Sequence, residues 1–179
     1  MKLKGTKTEK NLAAAFAGES QARNKYTYYA SKARQDGYEQ IAAIFEETAN
    51  NEREHAKMWF KALHGDAVPS TEENLNEAAS GEHYEWTEMY KEFAEQAKEE
   101  GFEDIAKLFE LVGGIEKAHE QRYQILLAKL KEGKIFASAE KQVWHCSNCG
   151  YSHEAAEAPE ICPVCKHARK YFKILAVNY

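Results

Sequence analysis

The sequence predicts a mainly α protein, a four-helix bundle followed by a small C-terminal module of short strands and metal-binding turns. Apolar residues recur at helical spacing in four long segments, and single glycines separate these segments in pairs. From about residue 135 the helical spacing gives way to short aromatic and β-branched runs around four cysteines. The 179 residues suffice for one sizeable core plus a small appended module.

The four predicted helices span residues 8–36, 38–65, 80–100 and 102–132. Gly37 separates the first two helices and Gly101 the last two, so each pair should form an antiparallel hairpin. The connection between the hairpins, predicted as a loop over residues 66–79, can cross the bundle as in ferritin-like topology. We expect the bundle domain to occupy residues 1–138 and the metal-binding domain to occupy residues 139–179.

The two predicted hairpins resemble copies of one repeat. GYEQIAAIF at residues 37–45 matches GFEDIAKLF at residues 101–109, an offset of 64 residues. At this offset two acidic residues and two histidines also coincide: Glu52 with Glu116, and His55 with His119. The acidic residues and histidines therefore recur together with the apolar pattern.

A one-residue slip interrupts the repeat. Gly18 and Glu19 match Gly81 and Glu82 at an offset of 63 residues rather than 64. The slip indicates either an alignment artefact or a π-bulge, a helix irregularity that often occurs at functional sites.

Charge and hydropathy argue against two classes of function. The formal net charge is −5 and no block of lysines and arginines is present, which argues against a nucleic-acid partner. No apolar run approaches the ~20 residues that a membrane span needs, so we expect no membrane association. The apolar stretch at residues 12–17 is shorter than the hydrophobic region of a secretory signal, and we therefore expect a cytoplasmic protein.

Acidic side chains lie on the apolar stripe of every predicted helix. The inward set comprises five carboxylates and two imidazoles: Glu19, Glu52, Glu82, Glu85 and Glu116, with His55 and His119. Five buried carboxylates cannot stay ionised and unpaired, and Arg23 is the only nearby inward cation. Two divalent cations would supply the missing charge, because Glu from two helices plus Glu-x-x-His from two others is the di-iron or di-manganese bundle pattern. Oxygen and imidazole ligands suit iron or manganese.

For single residues, an ordinary structural role is an alternative to metal binding. One helical Glu-x-x-His alone is more often a solvated pair or a satisfied core histidine, but two copies at matched repeat positions reverse those odds. Tyr26 and Tyr90 follow ligand candidates on their own helices and are either core residues or hydrogen-bond donors to ligand carboxylates. His83 stays unassigned, because it is turned about 100° from the face of Glu82.

The C-terminal module carries a second metal motif. Cys146, Cys149, Cys162 and Cys165 form two CxxC pairs separated by 12 residues. In a reducing compartment such pairs favour a tetrahedral thiolate site over disulfides. A zinc ribbon and a single-iron centre share these ligands, and the spacing alone puts zinc slightly ahead.

Six segments together closely resemble the rubrerythrin family, and the resemblance covers essentially the whole chain. They are FAGESQARNKY, EREHAK, GEHYEWTEMY, IEKAH, CSNCGY and CPVC. In that family a ferritin-like di-iron domain is fused to a rubredoxin-like iron–tetrathiolate domain. The resemblance implies a non-haem di-iron peroxidase that reduces hydrogen peroxide to water and protects an anaerobe or microaerophile from oxidative stress. It also implies NADH-linked electron supply through a donor protein such as a rubredoxin or its reductase.

The resemblance also implies ligand roles. Glu52 and Glu116 would bridge two iron ions, Glu19 and Glu82 would be terminal ligands, His119 would hold one iron, and Glu85 and His55 would alternate on the other with redox state. The four cysteines would hold one further iron, with zinc possible there after recombinant expression. Two rivals remain, a ferritin-type protein that oxidises or stores iron and a zinc-ribbon adaptor whose bundle metal is structural.

A homodimer is expected from the length of the helices. Ligands near the middle of a bundle helix lie roughly 20 Å from a module attached at its end, at about 1.5 Å per residue. We therefore expect the cysteine module of one chain to serve the di-metal site of another chain in a two-fold pair. The long predicted loop also leaves room for exchange of the first hairpin between partners.

Overall fold

The computed structural model describes residues 2–176, which form five α-helices, one π-helix, three strands and a short 3-10 helix. The helices are α1 Lys7–Gln35, α2 Glu39–Leu63, α3 Thr71–Tyr84, α4 Tyr90–Glu99 and α5 Glu103–Lys131, and the π-helix Glu85–Met89 joins α3 to α4. The chain divides into two compact units after Pro69. Within the described range, none of the helices is long and apolar enough to cross a membrane.

The first unit is the predicted hairpin of α1 and α2. Gly37 adopts a left-handed φ of 85°, and the Tyr38 N–H donates to the Ala33 carbonyl at 2.8 Å, which closes the end of α1. The buried centre of the hairpin is made of alanines, with Ala30, Ala33 and Ala42 packed beside Phe45. Small side chains there allow the two helices to approach closely.

The second unit begins with the other predicted hairpin. Its first arm is continuous through α3, the π-helix and α4, and all three segments pack along α5. Gly101 repeats the turn of Gly37 with a φ of 85°, and the Phe102 N–H donates to the Ala97 carbonyl at 2.7 Å. Both hairpins predicted from the glycines are therefore confirmed.

The predicted loop over residues 66–79 is wrong in its second half, because α3 begins at Thr71 rather than near residue 80. Ser70 and Glu73 form a capping box at the start of α3. The Glu73 N–H donates to Ser70 Oγ at 3.3 Å, and the Ser70 N–H donates to Glu73 Oε2 at 2.8 Å. The polar STEE segment is thus a helix start, and the connection between the hairpins is shorter than predicted.

The one-residue slip in the repeat has a structural cause. Eighteen residues separate Glu19 from Gly37, whereas nineteen separate Glu82 from Gly101. The π-helix Glu85–Met89 lies in the longer segment and absorbs the additional residue. The π-bulge is therefore confirmed, and the slip is not an alignment artefact.

The C-terminal module has the predicted short strands and turns. Its strands are β1 Ala137–Cys146, β2 Ser152–Glu157 and β3 Phe172–Ile174, which form an antiparallel sheet in the order β2-β1-β3. Trp144 on β1 is 1% exposed, and its Nε1 donates to the Ala155 carbonyl at 3.0 Å. Cys146, Cys162 and Phe172 complete the buried cluster around it. The predicted domain boundary at residues 138/139 falls near the start of β1 and stays a prediction.

Candidate metal centres

The first carboxylate–histidine group lies on the first hairpin. Glu19 projects from α1, and Glu52 and His55 project from α2, with one ligand atom of each within 4.8 Å of the others. His55 Nδ1 lies 2.8 Å from Glu52 Oε2 and 3.8 Å from Glu19 Oε1. The carboxylates are largely covered, whereas the imidazole is 47% exposed. Three predicted ligands thus converge on one point.

The second hairpin builds the same group from its own residues. Glu82 on α3 meets Glu116 and His119 on α5, again with one ligand atom of each within 4.8 Å of the others. His119 Nδ1 lies 2.7 Å from Glu116 Oε2 and 3.5 Å from Glu82 Oε1. The repeat found in the sequence therefore reproduces the geometry as well as the residue types.

Neighbouring carboxylates raise the pKa of one glutamate in each group. Glu19 has a raised pKa because its carboxyl group hydrogen-bonds to Glu52, and partial burial adds to the effect. Burial, with a hydrogen bond to Glu116, raises the pKa of Glu82. Two crowded carboxylates relieve their repulsion by sharing a proton. A divalent cation would replace that proton, and the oxygen and imidazole donors of each group suit iron or manganese.

Glu85 and Tyr90 lie close to the second group. The charge of Glu85 contributes to the raised pKa of Glu82, so the predicted extra carboxylate is a neighbour of the group. Burial raises the pKa of the Tyr90 hydroxyl, and the charges of Glu85, Glu116 and Glu82 raise it further. On the first hairpin, the ring of Tyr26 packs against that of Phe45, with the ring centroids 6.0 Å apart.

The four cysteines form a site with tetrahedral dimensions. Cys146 Sγ lies 3.7 Å from Cys165 Sγ, and Cys149 Sγ lies 3.7 Å from Cys162 Sγ. An ion with metal–sulfur bonds of about 2.3 Å in tetrahedral geometry separates its sulfur ligands by about 3.8 Å. The thiols therefore fit a single metal ion, and no disulfide joins them.

Each CxxC pair is held by the same kind of turn. Gly150 follows the first pair with a φ of 82°, and its N–H donates to the Cys146 carbonyl at 2.8 Å. Lys166 follows the second pair with a φ of 62°, and its N–H donates to the Cys162 carbonyl at 3.0 Å. The chain accepts a left-handed lysine here, at a cost of about 1–2 kcal/mol, to keep the turn.

The thiols differ in acidity. The backbone N–H of His167 lowers the pKa of Cys165 to about 6. The backbone N–H of Tyr151 favours the Cys149 thiolate, but desolvation and hydrogen bonds with the three other thiols raise the pKa of Cys149 to about 12. One thiolate forms readily and a further one is resisted, so four thiolates together require a cation.

Sequence reasoning missed a buried carboxylate and its partners. Glu120 is the one charged side chain that is buried among the residues the structure describes, at 8% exposure. It accepts a hydrogen bond from Trp86 and also contacts His83, for which the sequence predicts no role. A signal was present in the repeat, because Glu120 takes the place of Ala56, a buried residue of the first hairpin.

The two Glu–Glu–His groups and the four-thiolate module have the ligands of a non-haem metalloprotein of the di-metal carboxylate class that carries an additional tetrathiolate site. A family model described as "Rubrerythrin" matches residues 10–127, and one described as "Rubrerythrin, rubredoxin-like domain" matches residues 144–173. The chain therefore belongs to the rubrerythrin family. A four-cysteine site and a carboxylate–histidine di-iron site are present, matching the iron cofactors of the family, and the predicted fold class is confirmed.

Relatives match along nearly the whole chain. The rubrerythrin of Porphyromonas gingivalis is 48% identical over 188 residues, which cover 99% of this chain and 94% of the relative. The rubrerythrin of Nitratidesulfovibrio vulgaris is 46% identical over 188 residues, which cover 99% of this chain and 98% of the relative. The solved structure "Partially Reduced State of Nigerythrin" is 33% identical and covers 97% of this chain and 89% of that chain, with a TM-score of 0.37.

Proposed function

We propose that this protein is a non-haem di-iron peroxidase that reduces hydrogen peroxide to water in the cytoplasm and protects the cell from oxidative stress. The reaction consumes one peroxide, two electrons and two protons and releases two water molecules. One observation carries the proposal, the presence of two Glu–Glu–His groups and a four-thiolate site in one chain. Oxidation or storage of iron requires no one-electron relay, whereas repeated peroxide reduction does.

We assign the ligands of the di-iron centre by the family pattern. Glu52 and Glu116 would hold the two ions in common, Glu19, Glu82 and His119 would each hold one ion, and His55 and Glu85 would serve as alternative ligands of the other. The close approach of His55 to Glu52 and of His119 to Glu116 supports this assignment. When bound, the two iron ions supply the electrons that cleave the O–O bond, and the iron of the four-cysteine site returns electrons one at a time.

The extra carboxylate and the tyrosines support this chemistry. Glu85 gives the second hairpin one acidic ligand more than the first, which suits a site whose coordination changes with oxidation state. Tyr90 keeps its hydroxyl proton, because its pKa is raised by burial and by Glu85, Glu116 and Glu82. That hydroxyl is available as a hydrogen-bond donor to ligand carboxylates, and we propose the same role for Tyr26.

Electrons reach the four-cysteine iron from an external donor, which we propose to be a rubredoxin or its reductase supplied by NADH. The decisive experiment purifies the protein without oxygen, measures its iron content and follows peroxide-dependent NADH oxidation with these donors added. Visible charge-transfer bands that bleach on reduction are expected. Oxygen-dependent iron oxidation without peroxide-dependent NADH oxidation would favour the ferritin-type rival, and full activity with only zinc at the cysteines would refute the relay.

We also propose a homodimer in which the cysteine module of one chain serves the di-iron site of its partner. Large apolar side chains stay exposed along α5, among them Leu108 at 59%, Leu111 at 58% and Ile115 at 52%. Ile41 and Ile105, which coincide in the repeat, are both 47% exposed. Burial of such side chains is the main favourable term in protein association.

The dimer is tested by mixing two inactive variants. One subunit lacks the cysteines of the module, and the other carries Glu52→Ala. A mixed dimer then holds one intact relay on one chain and one intact ligand set on the other. Recovery of peroxidase activity supports the cross-chain relay, and mixed dimers without activity would exclude it.

A further inference from the structure

Glu120 is a buried carboxylate outside the ligand set, although it directly follows His119 on α5. Burial of an ionised group is costly unless hydrogen bonds compensate it. Both of its oxygens are engaged. Trp86 Nε1 donates to Oε2 at 2.5 Å, and Gln124 Nε2 donates to Oε1 at 2.6 Å. His83 Nδ1 lies 3.0 Å from the same Oε1.

The partners of Glu120 occupy informative positions in the sequence. His83 directly follows Glu82, Trp86 directly follows Glu85, and Glu120 directly follows His119. Three members of the network, His83, Trp86 and Glu120, are therefore each the neighbour of a proposed metal ligand. The network ties the arm that carries Glu82 and Glu85 to the helix that carries His119.

One hydrogen bond of this network is donated by a residue in an irregular part of that helical arm. Trp86 belongs to the π-helix Glu85–Met89, a type of turn that is rare and appears mostly as a single turn within α-helices. A hydrogen bond to a charged acceptor is about twice as strong as one between neutral groups. The bond from Trp86 to Glu120 thus fixes the second residue of the π-helix, one position after Glu85.

The first hairpin provides an internal comparison. At the repeat offsets, Ala56 corresponds to Glu120, and Ser20 and Arg23 correspond to His83 and Trp86. None of these three can form the same network, and α1 has no π-helix within Lys7–Gln35. The network and the π-helix therefore occur together, on the one hairpin that also carries an extra carboxylate.

We infer that Glu120 is a positioning residue, which anchors the π-helix to α5 through Trp86 and so sets the orientation of Glu85 toward the metal. This inference rests on the proposed ligand set. Glu120 itself stays off the metal, because both of its oxygens are engaged by donors on other residues.

The test is a double-mutant cycle read by metal binding to the metal-free full-length protein. Cobalt(II) titrated without oxygen reports the bundle site through its visible absorption, after the cysteine site has been filled with zinc. We expect Glu120→Leu to weaken cobalt binding by about tenfold, at the lower end of losses for residues that support metal ligands. Glu120→Gln, which keeps the side-chain shape and an acceptor oxygen, should weaken it by only about threefold because the neutral acceptor is weaker. In a Glu85→Ala background, both substitutions should change the affinity less than about twofold, since non-additivity marks residues that act together.

Each outcome of the cycle either supports or overturns the inference. An equal loss in both backgrounds would make Glu120 a general structural residue and overturn it, as would no loss in either background. If Glu85→Ala alone leaves cobalt binding unchanged, the proposed ligand set fails at Glu85, and the inference fails with it. Glu88→Gln is the matched control, because Glu88 is an exposed carboxylate of the same π-helix. If Glu120→Leu does not fold, the cycle is measured with Glu120→Gln. This variant should also weaken cobalt binding when Glu85 is present and change it less in the Glu85→Ala background.

Discussion

The two helical hairpins, residues 7–63 and 71–131, are copies of one repeat that differ in the spacing of residues around Glu19 and Glu82. At an offset of 64 residues the buried alanines of both hairpins coincide: Ala30 with Ala94, Ala33 with Ala97 and Ala42 with Ala106. The Glu–Glu–His groups coincide as well, with nearly equal distances within each group. The spacing of the copies differs on either side of Glu82: the second hairpin has one residue fewer between Ser70 and Glu82, and one residue more between Glu82 and Gly101.

This difference shows how one residue changes a site without changing its scaffold. An inserted residue in an α-helix turns every later side chain by about 100°. The π-helix absorbs the insertion, so Ala94 and Ala97 stay buried. The changed turn lies between Glu82 and the buried alanines of α4, and it contains Glu85 and Trp86.

The largest expected effect tests whether the copies contribute equally. We expect Glu52→Ala and Glu116→Ala each to abolish paired iron binding and to lower peroxidase activity by at least about 100-fold, because each removes a proposed bridging ligand. Iron content and peroxide-dependent NADH oxidation are the measurements. Glu47→Ala, at an exposed position of α2, is the control. Normal iron content in either bridging variant would show that only one hairpin builds the site.

Removal of the inserted residue should make the second hairpin resemble the first. Deletion of Glu88 gives the residues after it the offset of 63 that Glu19 and Glu82 already have, so α3 and α4 can join as one regular helix. We expect the unfolding temperature to stay equal or rise, while activity falls by about tenfold or more because Glu85 is reoriented. Glu88→Ala keeps the chain length and should change neither quantity. A deletion variant with full activity would separate the π-helix from function.

The sequence predicted what depends on repeated local patterns. Glu19, Glu52 and Glu116 were found because carboxylates on an apolar stripe demand compensation, and Gly37 because a left-handed turn between helices favours glycine. The start of α3 differs from the prediction because the polar residues of this segment favour a loop, although Ser70 and Glu73 carry a capping signature.

Contacts between distant segments were harder to foresee. Glu120 lies 34 residues from Trp86 and 37 from His83, and no local pattern joins positions so far apart. Its burial could have been inferred only by noticing that a carboxylate replaces Ala56 of the other copy. That a π-helix accommodates the additional residue could likewise be seen only in the structure, because an alignment slip alone has two explanations.

The metal-free hairpins should depend on pH in the same direction. A glutamate whose pKa is raised in the folded state favours folding below its ordinary pKa, and this contribution is lost as the pH rises through the raised value. Glu19 and Glu82 both have raised pKa values, so the metal-free protein should unfold at a higher temperature as the pH is lowered from 7 toward 5. Glu82→Gln and Glu19→Gln should each remove part of this dependence.

Calorimetric scans of the metal-free protein over this pH range provide the check. Bound divalent metal should reverse the trend, because protons then compete with the metal for the same oxygens. The carboxylates with lowered pKa values, Glu54, Glu110 and Glu132 among them, stay ionised across this window and do not contribute to the slope. Equal slopes in the metal-free and metal-loaded proteins would contradict the role of the two groups as cation sites.

The smallest expected effects concern the starts of the hairpins, where the repeat also holds. Thr6 and Ser70 are 64 residues apart, and each caps the first turn of its helix. Thr6 Oγ1 accepts from the Glu9 N–H at 3.1 Å, and Ser70 Oγ accepts from the Glu73 N–H at 3.3 Å. Loss of such a cap costs about 1 kcal/mol, which is about 2–4 °C in unfolding temperature for a chain of this size.

We expect Ser70→Ala to cost more than Thr6→Ala, because only Ser70 also donates its hydroxyl to the glutamate of its own capping box, at 2.6 Å. That hydrogen bond, with the one from the Ser70 N–H, lowers the pKa of Glu73. A lowered pKa stabilises the fold above the ordinary pKa of a glutamate, and this contribution is lost as the pH falls through the lowered value. The difference in unfolding temperature between Ser70→Ala and the unmodified protein should therefore become smaller in acid. Unfolding scans at pH 7 and below pH 4 measure it, and a difference that grows in acid would mean that the Ser70 hydroxyl does not stabilise the ionised Glu73.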